Sequence, residues 1–128
     1  MDLRILIVDD SATMRRIIAT IVGSRTGWVV CGEAEDGPTG VQKFFELSPD
    51  LVLLDFGMPD MNGIETAMKM MAVNPTTALI LLTVWDMDGL ERDAARAGIC
   101  GIVQKSEAWK LIGMIESVFA QRPNQTIQ

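Results

Sequence analysis

Side chains able to hold a metal ion or a phosphoryl group follow four of the short apolar runs in this sequence. Asp9 and Asp10 come directly after the first run, and Asp55 ends the third. Thr83 ends the fourth run, and Lys105 lies just past the fifth. Three carboxylates in one small site repel one another, and a pair about 4 Å apart costs on the order of 4 kcal/mol at an effective dielectric constant of about 20. Such a site therefore needs cations, which Lys105 and a divalent metal ion can supply.

Magnesium suits this set of oxygen donors best. It prefers carboxylates, carbonyls and water, and it retains several water ligands when bound. We predict that Asp9, Asp10 and Asp55 hold Mg²⁺ together with the backbone carbonyl of Gly57. Zinc is disfavoured, because the chain has no His and no thiolate near these residues.

A carboxylate beside a bound Mg²⁺ can attack a phosphoryl group and form an acyl phosphate. Asp55 is the predicted nucleophile, because it ends what we expect to be the central strand. Phosphoryl transfer depends mainly on charge neutralisation and in-line positioning. We therefore predict that Thr83 and Lys105 hold oxygens of the phosphoryl group.

The apolar runs themselves predict the fold. They have no polar alternation, which is the pattern of parallel strands covered on both faces. They span residues 3–8, 29–31, 51–54, 78–82 and 102–103. Stretches with helical spacing separate them, so we predict one doubly wound α/β domain over residues 1–121, followed by a polar tail or the start of a linker at 122–128. Ligands of such folds bind beyond the carboxyl ends of the strands, so all the candidate side chains meet on one rim.

The helical spacing also predicts which side chains face the core. Val41, Phe44 and Phe45 are expected on the buried face of the second helix. Of Met68, Met70 and Met71, we expect most to fill the core and one to be exposed. Arg15 and Arg16 are expected on the solvated face of the first helix, and docking of a kinase is their alternative role.

Composition excludes several classes of function. The chain has 128 residues, of which 48% are hydrophobic and 22% charged, so it can bury a core of its own. A net charge of −6 argues against nucleic acid or an anionic membrane as the primary partner. The absence of His excludes a Ser–His or Cys–His relay and phosphohistidine on this chain.

The two cysteines and the first apolar run bear on the compartment. Cys31 and Cys100 form no CxxC motif and suit a reducing environment. They belong to opposite edges of the predicted sheet, roughly 19 Å apart at about 4.8 Å per strand, so we expect packing rather than a disulfide. The first apolar run ends at Asp9 and is too short for a signal peptide or a membrane span. We expect a cytoplasmic protein with no membrane insertion.

Four segments together resemble the signature of bacterial two-component receiver domains. The resemblance covers residues 1 to about 120. The segments are Val8-Asp9-Asp10-Ser11, Leu54-Asp55-Phe56-Gly57-Met58-Pro59-Asp60-Met61-Asn62-Gly63, Thr83, and Val103-Gln104-Lys105. Residues 9–16 resemble chemotaxis-type receivers in particular. Residues 30–37 and 96–98 resemble receivers that precede helix-turn-helix output domains, so the subfamily stays open.

The resemblance implies a flavodoxin-like sheet of five parallel strands in the order 2-1-3-4-5. It also implies that Asp55 receives its phosphoryl group from phosphohistidine on a sensor histidine kinase or phosphotransfer protein, in a Mg²⁺-dependent reaction. The modified domain would then switch its contact with a downstream protein target, and a phosphorylation-linked homodimer is compatible with this. We expect a stand-alone domain that assists only its own phosphorylation and dephosphorylation and binds no nucleic acid.

Four positions depart from the receiver pattern. Ile102 stands where receivers usually carry the aromatic side chain that reports phosphorylation, and Val84 stands where a small residue is usual. Val84 is expected to narrow the access to Asp55, and the ring of Trp85 to slow phosphate loss or offer an alternative contact. Ser106 replaces a common proline and is expected to cap the last helix. These changes keep open an atypical receiver that acts as a phosphorylation-independent interaction module.

Two further classes fit the pattern less well. An Asp-nucleophile phosphohydrolase typically places a second Asp two residues after the nucleophile, where this chain has Gly57. A flavin or nucleotide carrier needs a phosphate-binding loop after the first strand, where the carboxylates of Asp9 and Asp10 would repel a phosphate.

Overall fold

The computed structural model describes residues 2–84 and 88–121 and shows one parallel sheet of five strands. The strands lie in the order β2-β1-β3-β4-β5, which confirms the predicted fold. Their bounds are β1 Leu3–Val8, β2 Trp28–Ala34, β3 Leu51–Asp55, β4 Ala78–Thr83 and β5 Gly101–Gln104. The tail at 122–128 and the expectation for Trp85 lie outside the described residues.

Helices connect successive strands and lie on both faces of the sheet. Their bounds are α1 Ala12–Gly23, α2 Gly37–Leu47, α3 Gly63–Val73, α4 Leu90–Arg96 and α5 Leu111–Ala120. Three of them begin at a side chain that accepts a hydrogen bond from the first turn, namely Ser11 for α1, Asp36 for α2 and Asn62 for α3. These caps satisfy amide groups that have no partner within the helix, and they fix where each loop after a strand ends.

The core has one layer on each side of the sheet, because neighbouring residues of a strand point to opposite faces. In β1, Ile5 and Ile7 pack with α1 and α5, whereas Leu6 and Val8 pack with α2, α3 and α4. Every residue of β3 and of β4 is buried. The unbroken apolar runs of the sequence thus reflect strands that are covered on both faces.

The prediction for the second helix is wrong at Phe45. Phe44 is buried, but Phe45 is 71% exposed. Successive helical residues lie about 100° apart, and the buried face of α2 is formed by Gly37, Gly40 and Phe44. In α3, Met70 is buried and Met68 is exposed, as expected for a core with one exposed methionine.

The predicted cap at Ser106 is also wrong. A 3-10 helix spans Lys105–Lys110, with Gln104 in the N-cap position and no side-chain cap. Glu107 has φ −122° and ψ 37°, so the backbone bends there before α5 begins at Leu111. Ser106 therefore lies exposed inside the 3-10 helix and not at its start.

Within the described residues, neither Cys31 in β2 nor Cys100 directly before β5 forms a disulfide. Burial raises the pKa of the Cys31 thiol, which is half-buried. Cys100 is exposed, so the expectation of a packing role is wrong for this residue. Within residues 2–84 and 88–121, no helix has the length and apolar character to cross a membrane.

Candidate functional site

Asp9 lies one residue beyond β1 and is held there from several sides. Its N–H donates to the carbonyl of Ala34 at 3.0 Å, which extends the pairing with β2 by one residue. The N–H of Ser11 donates to Asp9 Oδ1 at 2.9 Å, and the Ser11 hydroxyl accepts from the N–H of Met14 at 3.1 Å. Asp9 is only 1% exposed, whereas Asp10 points to solvent. One carboxylate is thus fixed inside the rim and its neighbour lies at the mouth.

Asp55 is the last residue of β3 and is 4% exposed. The loop that follows is fixed by two backbone hydrogen bonds, from the Phe56 N–H to the Leu82 carbonyl at 2.8 Å and from the Gly63 N–H to the Phe56 carbonyl at 2.9 Å. The N–H of Gly57 donates to Asp55 Oδ1 at 3.2 Å. The carboxylate is therefore anchored to its own loop.

Gly63, the first residue of α3, permits this loop to close. A Cβ at this position would lie 2.6 Å from the carbonyl oxygen of Asp55 and 2.9 Å from the Cα of Phe56. Both of these are backbone atoms, which cannot move aside like the end of a flexible side chain. Only glycine allows α3 to begin this close to the end of β3.

Lys105 brings the only cation that an ion pair places among these carboxylates in the described residues. Its Nζ lies 2.7 Å from Asp9 Oδ2 and 3.1 Å from Asp55 Oδ1. Lys105 follows β5, and β4 lies between β5 and β3 in the sheet. The side chain therefore reaches past the end of β4, where Thr83 is fully buried.

The site shifts two pKa values. Burial raises the pKa of Asp55, and the charge of Asp9 raises it further; Lys105 and the Gly57 N–H oppose this without outweighing it. Burial by itself would lower the pKa of Lys105, but its close contacts with Asp9 and Asp55 outweigh this and raise it. The charged form of Lys105 is therefore favoured, whereas Asp55 loses its proton less readily than an ordinary aspartate.

The carboxylates fit a hard divalent cation. Asp9, Asp10 and Asp55 each offer an oxygen, and these oxygens lie within 4.8 Å of one another. Asp9 Oδ2 is buried and has no hydrogen-bond partner among the described residues, so its contact with Lys105 is an ion pair without hydrogen-bond alignment. Mg²⁺ prefers oxygen ligands, so it suits this set of carboxylates, in which one buried oxygen accepts no hydrogen bond.

The comparison with known families agrees with this geometry. A sequence model of the response regulator receiver domain matches residues 5–116. The chain belongs to the response regulator receiver domain family. The predicted resemblance to two-component receivers is thereby confirmed, and the receiver domain is a signalling domain of that system.

Individual relatives include chemotaxis regulators. The chemotaxis protein CheY of Thermotoga maritima is 36% identical over 102 residues, which cover 80% of this receiver domain and 84% of the relative. The response regulator domain of Thermotoga maritima CheB has a TM-score of 0.83 at 30% identity, covering 91% of this chain and 96% of that one. A chain of the CheX–CheY complex with BeF3 and Mg²⁺ from Borrelia burgdorferi has a TM-score of 0.85 at 28% identity. The match covers 91% of this chain and 89% of that one.

The remaining predicted positions of this receiver lie around β4 and β5. Thr83 ends β4 and is paired in register with Gln104, and Val84 beyond it is 72% exposed. Ile102 in β5 is half-buried and lines a groove of about 290 Å³ between α4 and β5. The structure thus brings Asp9, Asp10, Asp55 and Lys105 together and places Thr83 at the adjacent strand end.

One residue that borders the site was missed from the sequence. Arg15, expected on a solvated helix face, donates through Nη1 to the carbonyl of Asp9 at 2.7 Å and through Nε to Glu33 Oε1 at 3.1 Å. Its side chain is 18% exposed, so the prediction of a solvated side chain is wrong. Side chains in a helix lean toward its N-terminus, so a long side chain in the first turn of α1 can reach the end of β1. The place of Arg15 in the first turn of the helix was therefore the signal in the sequence that could have predicted this contact.

Proposed function

We propose that this receiver domain accepts a phosphoryl group on Asp55 from phosphohistidine of a sensor histidine kinase or a phosphotransfer protein, in a Mg²⁺-dependent reaction. The observation that carries the proposal is the position of the Asp55 carboxylate. It ends the central strand, is almost fully buried, and lies 3.1 Å from the Lys105 ammonium in a cluster with two further carboxylates. No neighbouring His or Cys competes as a nucleophile, since the chain has no His and both thiols lie at the edges of the sheet.

In the proposed reaction an oxygen of ionised Asp55 attacks phosphorus in line with the P–N bond of the donor. The P–O bond forms as the P–N bond breaks, and the donor imidazole takes up a proton and leaves neutral. Asp9, Asp10, Asp55 and the Gly57 carbonyl would hold the metal ion. When bound, Mg²⁺ supplies the positive charge that favours ionised Asp55 and offsets the charge of the phosphoryl oxygens.

Lys105 and Thr83 are proposed to hold the phosphoryl oxygens once they arrive. The lysine is already within reach, because its ammonium contacts both buried carboxylates. The Thr83 hydroxyl belongs to the last residue of β4, next to the end of β3 in the sheet. Phosphorylation thus changes the partners of both side chains, and this change is the proposed start of the signal.

The proposed output is a switch in contact with a downstream protein, with a phosphorylation-linked dimer as one form of it. The solved CheX–CheY complex that resembles this domain contains Mg²⁺ and BeF3, a phosphomimetic, which supports a partner that depends on the phosphoryl state. Val84 and Ile102 depart from the usual receiver pattern at positions that would relay this switch. Ile102 lines the α4–β5 groove with an aliphatic side chain, so the relay would use packing in that groove and not rotation of a ring.

Intact mass spectrometry tests the proposal. The wild type is incubated with Mg²⁺ and either acetyl phosphate or phosphoramidate, beside Asp55→Asn and a wild-type sample containing EDTA. We expect one added phosphoryl group in the wild type with Mg²⁺ and none in the other two samples. Uptake by Asp55→Asn at the wild-type rate contradicts the proposal. A wild type that takes up nothing from small donors or from a phosphorylated kinase would favour the phosphorylation-independent interaction module.

A further inference from the structure

The side chain of Arg15 joins three elements of the fold at the edge of the candidate site. It starts from the first turn of α1, contacts the backbone just beyond β1, and ends against Glu33 of β2. The two hydrogen bonds leave from different nitrogens of one planar guanidinium, so they fix its orientation as well as its distance. A lysine in the same place presents a single nitrogen, which could not fix the two acceptors in this planar arrangement.

Asp9 is held through every polar group it has. Its N–H binds the Ala34 carbonyl of β2, and its carbonyl accepts from Arg15 at 2.7 Å. Oδ1 accepts from the Ser11 N–H, and Oδ2 lies 2.7 Å from Lys105. The Arg15 contact is the one that fixes the peptide unit linking Asp9 to Asp10. This peptide sets the direction in which the second carboxylate leaves the backbone.

Charge does not explain the contact, because Glu33 offsets the guanidinium. The Glu33 carboxylate lies 3.1 Å from Arg15 Nε and forms its ion pair. Arg15 and Glu33 together add no net charge to a rim that already holds one ammonium and three carboxylates. The pair therefore supplies geometry, and Glu33 holds Arg15 in place.

We propose that Arg15 is a positioning residue for the metal ligands, which sets the placement of Asp9 and Asp10 by holding the Asp9 carbonyl, with Glu33 orienting its guanidinium. Correct placement of these ligands should tighten the binding of Mg²⁺, and this consequence rests on the proposed function. Groups that orient metal ligands typically change metal affinity by 10–100-fold when they are removed. Arg15 contacts the backbone carbonyl of Asp9 and neither its carboxylate nor Asp55, so it should act on Mg²⁺ affinity and not on the chemical step.

The test compares Arg15→Ala with Arg16→Ala. Arg16 is the adjacent arginine, is exposed, and has no ion pair among the described residues, so it matches the change in charge and helix propensity. Calorimetric titration with Mg²⁺ alone should give a dissociation constant about 10-fold higher for Arg15→Ala and one unchanged for Arg16→Ala. At saturating Mg²⁺ the rate of phosphoryl uptake from acetyl phosphate should be that of the wild type in both variants. Equal Mg²⁺ affinities of Arg15→Ala and Arg16→Ala overturn the inference.

Two milder variants cover the case in which Arg15→Ala does not fold. Arg15→Lys and Glu33→Gln each keep part of the contact and are expected to give dissociation constants between those of the wild type and Arg15→Ala. Wild-type affinity in both of them contradicts the inference. A loss in the saturated rate with no change in Mg²⁺ affinity contradicts it as well, because that pattern belongs to a residue that acts on the chemical step.

Hydrogen exchange separates a failure of this inference from a failure of the proposed function. In metal-free protein the Ser11 amide donates to Asp9 Oδ1, so release of the Asp9 carbonyl should accelerate its exchange in Arg15→Ala and not in Arg16→Ala. If the wild type binds no Mg²⁺, the proposed function fails, and this comparison still decides whether Arg15 fixes Asp9. Equal exchange in the two variants overturns the positioning role.

Discussion

Lys105 Nζ lies 3.1 Å from Asp55 Oδ1, although β4 separates the strands that carry these two residues. The same ammonium lies 2.7 Å from Asp9 Oδ2. One cation thus faces three clustered carboxylates, which leaves the metal-free rim with an excess of negative charge. This excess links the proposed chemistry to the stability of the domain, because whatever neutralises the carboxylates also stabilises the folded chain.

Removing the ammonium should destabilise the metal-free protein and make it more dependent on Mg²⁺. Lys105→Met leaves two buried carboxylates without their cation, and breaking a buried pair costs about 3 kcal/mol or more. We expect a loss of this size in the free energy of unfolding with EDTA, measured by urea titration, and a smaller loss with Mg²⁺. Lys110→Met is the control, because its ion pair with Glu107 is exposed and contributes about 0.5 kcal/mol. Equal losses in the two variants contradict the account.

The raised pKa of Asp55 predicts how the effect of Asp55→Asn on the free energy of unfolding depends on pH. Between the ordinary Asp pKa of about 3.9 and its raised value, the folded state binds more protons at Asp55 than the unfolded state. Stability contributed by this group therefore falls as pH rises. Asp55→Asn should be more stable than the metal-free wild type, with a gain that grows from about pH 4 up to the raised pKa of Asp55 and is constant above it. Urea unfolding at a series of pH values measures this gain.

Asp36 supplies a control of opposite sign. Hydrogen bonds from Thr39 lower the pKa of Asp36, the cap of α2, so its contribution is present above the ordinary Asp pKa and lost as pH falls. Asp36→Asn should therefore lose stability at neutral pH and recover relative to wild type in acid. A gain for Asp55→Asn that is the same at every pH from about 3 upward, or that falls as pH rises, contradicts the proposed electrostatics.

The close approach at Gly63 predicts a substitution that affects both stability and chemistry. The Cβ of Gly63→Ala would lie 2.6 Å from the Asp55 carbonyl, and such overpacking typically costs 1–3 kcal/mol, here about 2 kcal/mol. Uptake of a phosphoryl group should also slow, because the end of β3 must shift. Gly113→Ala in α5 meets nothing within 4 Å and should stabilise by about 0.5–1 kcal/mol with unchanged uptake. Wild-type behaviour of Gly63→Ala contradicts the role of this contact.

The sheet and the meeting of the site residues could be predicted because both follow from local patterns. The apolar run that ends at Asp55 must be covered on both faces, and parallel strands bring their carboxyl ends to one edge. Asp9, Asp55 and Lys105 were therefore expected on one rim, and the strand order that brings them close together was implied by the resemblance to receivers. The contacts of Lys105 with Asp9 at 2.7 Å and with Asp55 at 3.1 Å agree with that arrangement.

Three features could not be predicted: which side of a helix a residue faces, where a helix begins, and what a long side chain contacts. Phe45 lies next to Phe44 in the sequence, but the turn of the helix places only one of them against the sheet. Ser106 follows a strand as a cap residue does, but the backbone enters a 3-10 helix one residue earlier. Arg15 needed the position of Glu33, which is 18 residues away in the sequence and becomes its neighbour only in the folded sheet.

Mapping the modified residue tests the central claim most directly. Borohydride reduces an acyl phosphate to an alcohol, so a phosphorylated aspartate is converted to homoserine and can be located by tandem mass spectrometry. After phosphorylation with acetyl phosphate and Mg²⁺, we predict homoserine at position 55 and unmodified aspartate at positions 9, 10 and 60. Homoserine at any of those other positions, with Asp55 unchanged, would contradict the assignment of Asp55 as the acceptor.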